Sequence, residues 1–299
     1  MASTLVGGVP VADAADPDGA LVTEYGHVQY GRVLFGAGSS AGVRQLIGWR
    51  DLPGVDVADT PRPQSHGTYP GDVLTESATI TLVYLVRGTP EDKAAAIDAL
   101  EQHTPVDGVE RMLAVDDDGQ GAWYRMARVV ARQVPQDKGY RHGPVECSVQ
   151  FVCADPRRYR LTDHSGTASL PAATGGLEYP LDYPLEYGDA SSTALVAAND
   201  GGASAPLVVT FNGPLTNPQL SSPDWQLGFD LTLAAGEALV VDTAEGTALL
   251  DGTADRLYAI RPTSDPLELC TIPPGGTTLT LTAADGTGTA TVTHRDARL

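Results

Sequence analysis

Gly38-Ser39-Ser40-Ala41-Gly42 matches the Gly-x-Ser-x-Gly pattern, in which a sharp strand-to-helix turn exposes a nucleophilic serine. Residues 32–35 read as the strand, but the following VRQLIGW has neither the length nor the N-cap of a helix. A hairpin turn is therefore expected there, not a nucleophile. Gly36-x-Gly38 lacks the same helix and fails as a dinucleotide-binding turn. Asp116-Asp117-Asp118-Gly119 has the residue types of a calcium loop without its alternate spacing, and Ala127 stands where the closing glutamate belongs. A solvated hairpin tip is expected. The six histidines (27, 66, 103, 142, 164 and 294) form no pair at helical or turn spacing. Cys147 and Cys153 lack the two-residue gap of a zinc knuckle, and strand period places both on one buried face. No catalytic set, metal site or cofactor follows from these spacings, and the chain is expected not to be an enzyme.

Charge offers a different kind of chemistry. Arg111, Arg125, Arg128, Arg132, Lys138 and Arg141 make a locally basic segment, continued by Arg157-Arg158-Tyr159-Arg160, in a chain of net charge −19. Period 2 places Arg128, Val130 and Arg132 on one face of a strand and Val129 and Ala131 on the other. Two readings stay open: an ordinary solvated sheet face, or a candidate contact, through Arg125, Arg128 and Arg132, with the acidic surface of a partner or of another copy.

The elements that must hold these residues are read as mainly β. With 33 Gly and 22 Pro in 299 residues, the chain is too rich in turn formers for a helical bundle and still apolar enough for a core. The acidic balance argues against nucleic-acid binding and against an anionic membrane face. Three cysteines make no disulfide framework, no apolar run is long enough to span a bilayer, and the first residues do not read as a secretory signal. A soluble protein made in a reducing cytoplasm is expected. One helix is expected after Thr89-Pro90-Glu91-Asp92, which supplies an N-cap hydroxyl, a proline in the first turn and acids there. Ala96, Ile97 and Leu100 continue it at helical spacing, and Thr104-Pro105 ends it. Residues 79–86, 111–115, 122–134 and 145–153 read as strands, with Val145, Cys147, Val149, Phe151 and Cys153 on one face.

A composition break follows Arg160. Residues 1–160 carry 15 Lys+Arg against 21 Asp+Glu, and residues 161–299 carry 4 against 17. Two domains are expected, 1–160 and 191–299, joined by an extended Leu/Tyr/Pro arm or linker over 161–190. The repeat LEYPLDYPLEY forbids a helix, and its Tyr179, Tyr183 and Tyr187 are candidate contacts of an arm lying along a protein surface. Beyond it, strands are expected at 207–211, 229–233, 238–241, 267–272, 277–281 and 289–293, a β-sandwich spacing.

The strings themselves resemble a known family. Ile47-Gly48-Trp49-Arg50-Asp51-Leu52-Pro53-Gly54, Thr60-Pro61-Arg62-Pro63, His66-Gly67, Tyr69-Pro70-Gly71, VECSVQFV at 145–152 and Ala154-Asp155-Pro156-Arg157-Arg158-Tyr159 follow in order, then the Leu/Tyr/Pro arm, Asn199-Asp200-Gly201, Phe211-Asn212-Gly213-Pro214 and Ile272-Pro273-Pro274-Gly275. Nearly the whole chain after about residue 25 is similar to siphophage distal tail proteins, also called minor tail proteins, of actinobacterial phages. It departs at Leu74-Thr75-Glu76-Ser77, where similar proteins carry Gly-Arg.

The resemblance implies an N-terminal β-sandwich or split-barrel ring domain with one α-helix, followed by a C-terminal galectin-like β-sandwich. It implies a structural protein of a virion, assembled in the host bacterial cytoplasm and placed at the tip of a long non-contractile tail, where a ring, usually of six copies, joins the tail tube protein to the tail hub and its fibres. The tape measure protein is a further candidate partner. The alternative is a glycan-binding baseplate or receptor-binding module acting through the C-terminal sandwich. Its candidate contact is Trp225, in the loop SSPDWQLG, while Phe211, Phe229 and Tyr258 are expected in the core.

Overall fold

The computed structural model describes residues 3–6, 8–12, 22, 24–117, 119–136, 140, 142–172 and 191–299. The chain divides into two compact units, Met1–Leu161 with Leu299, and Thr162–Arg298. Both are mainly β.

In the first unit, β1 (Ser3–Val6), β2 (Val9–Ala12), β3 (Val28–Tyr30), β4 (Val33–Phe35) and β5 (Ala41–Ile47) precede a two-stranded excursion. That excursion comprises β6 (Val55–Val57), β7 (Thr60–Pro61), β8 (Thr68–Tyr69) and β9 (Val73–Thr75). Then come β10 (Ala78–Val86), helix α1 (Pro90–His103), β11 (Arg111–Val115), β12 (Trp123–Gln133), β13 (Val145–Cys153) and β14 (Arg158–Arg160). The main sheet runs β1-β2-β4-β3-β11-β12-β13-β10-β5. Alternation of apolar residues buries every second side chain of β10 and β13. Tyr30 stacks at 4.6 Å on Phe151 and Phe35 at 5.2 Å on Tyr84. The half of the sheet carrying β3 and β4 therefore packs against the inner face of β13 and β10.

Helix α1 fills the same core with Ala96, Ile97 and Leu100. Thr89 and Asp92 form the capping box that starts it: the Thr89 hydroxyl accepts from the Asp92 N–H, and the Asp92 carboxylate accepts from the Thr89 N–H. Two cations, buried Lys93 and half-buried Arg132, fix its ends. Lys93 donates to the Tyr140 and Gly143 carbonyls at 2.6 and 2.8 Å, and Arg132 donates to the Glu101 and Thr104 carbonyls at the C-terminus. Among the described residues, no helix is long and apolar enough to cross a membrane.

The second unit begins with β15 (His164–Ala172), so residues 164–172 belong to a sheet and not to an arm; Tyr179, Tyr183 and Tyr187 lie outside the described residues. Its strands are β16 (Ser191–Thr193), β17 (Leu195–Ala197), β18 (Ala205–Asn212), β19 (Leu215–Thr216), β20 (Gln219–Ser221), β21 (Gln226–Gly228), β22 (Thr232–Leu233), β23 (Ala238–Asp242), β24 (Thr247–Leu250), β25 (Ala254–Asp255), β26 (Thr271–Ile272), β27 (Thr277–Thr282), β28 (Asp285–Gly286) and β29 (Thr289–His294). They form one sheet in the order β16-β15-β29-β18-β23-β24-β25, a second in the order β17-β27-β20-β21, and a small one of β22, β19 and β28. Val209 and Phe211 from the first sheet and Leu220 and Leu281 from the second are buried in a sandwich core.

Two expected strands are broken. Residues 229–233 divide because Phe229 bridges only to Ile260, and Asp230 turns away to donate its N–H to Ala259. Leu267–Leu269 coils into a 3-10 turn behind Pro266, which accepts the Leu269 N–H.

His164 and His294 are directly opposed on β15 and β29, with rings stacked 5.3 Å apart. Burial holds the pKa of His294 below its ordinary 6.5; His164 acts in the same sense, while the Ala198 carbonyl and Asp296 oppose it. The unfolded chain thus takes up this proton before the folded one. The stability His294 contributes is intact above about pH 6.5 and lost as the pH falls through the lowered folded-state value. Thermal melts of the whole chain from about pH 7.5 to about pH 5 should show a falling transition with a shallower slope in His294→Gln. An identical slope in the variant would exclude His294 as a contributor.

Candidate functional site

The first unit's sheet holds the buried thiols and the turn motifs in inert settings. Cys147 and Cys153 lie on the inner face of β13, where burial pushes their pKa values up to about 11 and about 12, so both stay protonated and weakly nucleophilic at neutral pH. Gly36–Ser40 is a turn between β4 and β5, with the Ala41 N–H donating to the Ser39 hydroxyl, and the Ala41-Gly42 end of the motif already belongs to the strand β5. Asp116–Gly121 joins β11 to β12 as a hairpin turn, with Asp118 outside the described residues. Among the described residues, no group of three or more His, Cys, Asp or Glu is placed to hold a metal ion.

The three arginines do not share one face. β12 carries a bulge between Val129 and Ala131, and the extra residue reverses the facing of everything after it. Arg128 stays outside and exposed, whereas Arg132, opposite buried Val149, turns inward to the end of α1. Arg125 is 0% exposed. Its guanidinium lies 5.4 Å from the centre of the Trp49 ring and reaches the Gly48 carbonyl at 3.5 Å, while Nε and Nη2 have no hydrogen-bond partner among the described residues. Burial drives its pKa down to about 10. The rest of the basic segment is largely spent internally, Arg111 on Asp107 and Arg157 on Asp155.

Trp225 is likewise withdrawn from the surface. It is 5% exposed, and its indole N–H donates to the Thr271 carbonyl at 2.8 Å. Tyr258, expected in the core, stands 80% exposed.

The uncovered feature of the first unit is the excursion between β5 and β10, residues 50–77, none of which is buried. β6 pairs with β9 and β7 with β8, which makes it an antiparallel ribbon extending the β5–β10 ladder past the sheet. Its root is anchored firmly. Gly48 has φ +85°, and a side chain there would collide with the Thr79 carbonyl. The buried Trp49 donates its indole N–H to Asp117 at 3.0 Å, and Arg50 donates to the same carboxylate oxygen at 2.5 Å. Burial works against the charge of Asp117, but Arg50, Arg158 and the Trp49 N–H outweigh it and hold the carboxyl below its ordinary range.

The ribbon's two faces differ. Val55 stands opposite Thr75 and Val57 opposite Val73, so these four share one face; Asp56 and Leu74 are paired on the other. Alternation adds Asp72 and Glu76 to the Leu74 face. Leu74 is 69% exposed, and Leu52, Val73 and Tyr69 are also bare. A two-stranded ribbon is marginal by itself in water, and here it holds a patterned surface with nothing packed on it among the described residues. Sequence reading assigned no element to 50–77. The local signals were the alternation in Val55-Asp56-Val57 and the punctuation at Gly54, Gly67 and Gly71.

No protein-family model matches the chain, and no curated protein sequence does. Among solved structures, the crystal structure of SPP1 Dit, described as a paradigm of the hub adsorption apparatus in phages that infect Gram-positive bacteria, matches with a TM-score of 0.64 at 14% identity, covering 91% of this chain and 99% of that one. A chain of the phage P2 baseplate in its activated conformation matches with a TM-score of 0.50 at 10% identity, covering 86% and 91%. At these identities the likeness is one of fold, and it falls on the group of phage tail proteins that the sequence resembles.

The distinct settings of the arginines give a sharp expectation. Arg125→Met keeps the packing on Trp49 without the buried charge and leaves the melting temperature equal or higher. Arg125→Glu puts an unpaired carboxylate in the core and costs several kcal/mol, about 3–5. Arg128→Glu changes an exposed site and stays within about 0.5 kcal/mol. Urea unfolding of the three variants tests this, and equal loss in Arg128→Glu and Arg125→Glu would contradict the placement.

Proposed function

We propose that this chain is a structural ring component of a phage tail tip, a distal tail protein whose copies assemble head to tail and connect the tail tube protein to the tail hub. The fold it shares with SPP1 Dit over nearly the full length of both chains supports a hub role. The observation that carries assembly is the exposed ribbon at 50–77, rigidly rooted at Gly48, Trp49 and Arg50 and bare at Leu52, Val73 and Leu74. A lone monomer gains nothing from keeping such apolar surface in water, whereas a neighbour that covers it does. A ribbon at one site and a receiving surface at another make a heterologous contact, the type that closes into rings by rotation. The ring has six copies in this proposal. The tape measure protein is a further candidate partner, and the residues meet no nucleic acid and no membrane.

In this proposal the second unit, a β-sandwich, projects from the ring, as the resemblance implies. The glycan reading loses Trp225 to the core and is not carried by Tyr258 alone.

Light scattering and negative-stain imaging of the purified chain, beside a variant in which residues 53–75 are replaced by a short Gly/Ser turn, test the proposal. The whole chain forms rings; the shortened one stays folded, by an unchanged melting profile, and is monomeric. Identical masses for the two proteins would contradict it.

A further inference from the structure

We propose that the outer face of β12, formed by Met126, Arg128 and Val130, is the seat on which the ribbon of a second copy of this chain docks. This rests on the ribbon being an assembly arm and names the surface that receives it.

The inner face of β12 is committed to the core through Trp123, Ala127 and Val129. Its outer face presents Met126, 37% exposed, then Arg128, then Val130, 42% exposed. Alternation along β12 places Val130 on this face with Met126 and Arg128, ahead of the register shift that begins at Ala131. The Arg128 guanidinium makes no hydrogen bond or ion pair among the described residues. Arg44, an exposed arginine on β5 of the same sheet, is already paired with Glu146. β12 therefore offers one uncommitted cation between two bare apolar side chains, in a chain whose net charge is −19.

The ribbon carries the converse pattern. Residues 51–77 contain five acids against one arginine. On the face defined by Asp56 and Leu74, a bare leucine lies between acids, and neither Asp56 nor Asp72 has a side-chain partner among the described residues. Asp59, by contrast, is consumed inside the ribbon by the Gly71 N–H and the Thr68 hydroxyl. Leu74 set between Met126 and Val130 would bury apolar surface on both copies, and it would bring Asp56 and Asp72 beside Arg128, where partial desolvation strengthens the attraction. The seat and the arm lie on different strands, so each copy can give its arm to one neighbour and receive one from the other.

The test uses the full-length chain. Its native cysteines, 147, 153 and 270, are buried, so cysteines introduced at the surface can be oxidised selectively. Leu74→Cys combined with Met126→Cys should give a covalent ladder between chains on non-reducing gels, while either substitution alone gives none. Absence of the ladder, or a cross-link confined within single chains, overturns the proposal. In parallel, Arg128→Glu should weaken self-association by about tenfold or more, and Asp56→Arg with Asp72→Arg in the same chain should restore it. If shortening the ribbon dissociates the oligomer while Arg128→Glu leaves it intact, the arm stands and this seat is wrong. If shortening has no effect, the arm itself is wrong.

Discussion

A sheet has two faces, and the β12–β13–β10–β5 sheet of this chain covers only one of them from within. Tyr30, Phe35 and helix α1 close the inner face. On the outer face Met126, Arg128 and Val130 stay exposed. Much of the first unit follows from that asymmetry. The capping box, Lys93 and Arg132 hold α1 where it must be to complete the core. The outer face and the ribbon that grows from the β5–β10 ladder are left as the surfaces available to other molecules.

The ribbon is built as a projection and not as a slack loop. Trp49 is buried beneath its root, stacked against Arg125 and hydrogen-bonded to Asp117, while Arg50 grips the same carboxylate. This arrangement explains why an arginine is buried in a core at all. Arg125 sits over the ring of Trp49, and its cost of desolvation is partly offset by the cation–π contact and the Gly48 carbonyl. The first of the strings by which the sequence resembles distal tail proteins, those from Ile47 to Gly71, fall on this root and ribbon.

Local rules reached far into the fold. The Thr89 cap, the 3.6-residue spacing of Ala96, Ile97 and Leu100, and the period-2 pattern of β13 were each visible in the chain, because each depends on residues within one element. What escaped depended on contacts distant in sequence. The bulge in β12 cannot be seen in an unbroken apolar–basic run, and it turns Arg132 to the opposite face from Arg128; Arg125 lies before the bulge, and its burial follows from the inward facing it shares with Trp123 and Ala127 and from the ring of Trp49, distant in sequence. His164 and His294 meet only because β15 and β29 pair. Trp225 is buried because Thr271, far along the chain, offers it a carbonyl, and Tyr258 is exposed because a 3-10 turn carries it outward. The ribbon was missed because its exposed residues have no core pattern to betray them.

The account stands or falls on whether the ribbon is covered in the assembled protein. Hydrogen–deuterium exchange of the amides from Val55 to Thr75, compared between the oligomer and the dilute monomer, reads this directly. Covered by a neighbour, these amides exchange much more slowly in the oligomer, while those of α1 and β13 are unchanged. Equal and rapid exchange in both states would show that the ribbon stays in water and that assembly, if it occurs, uses another surface.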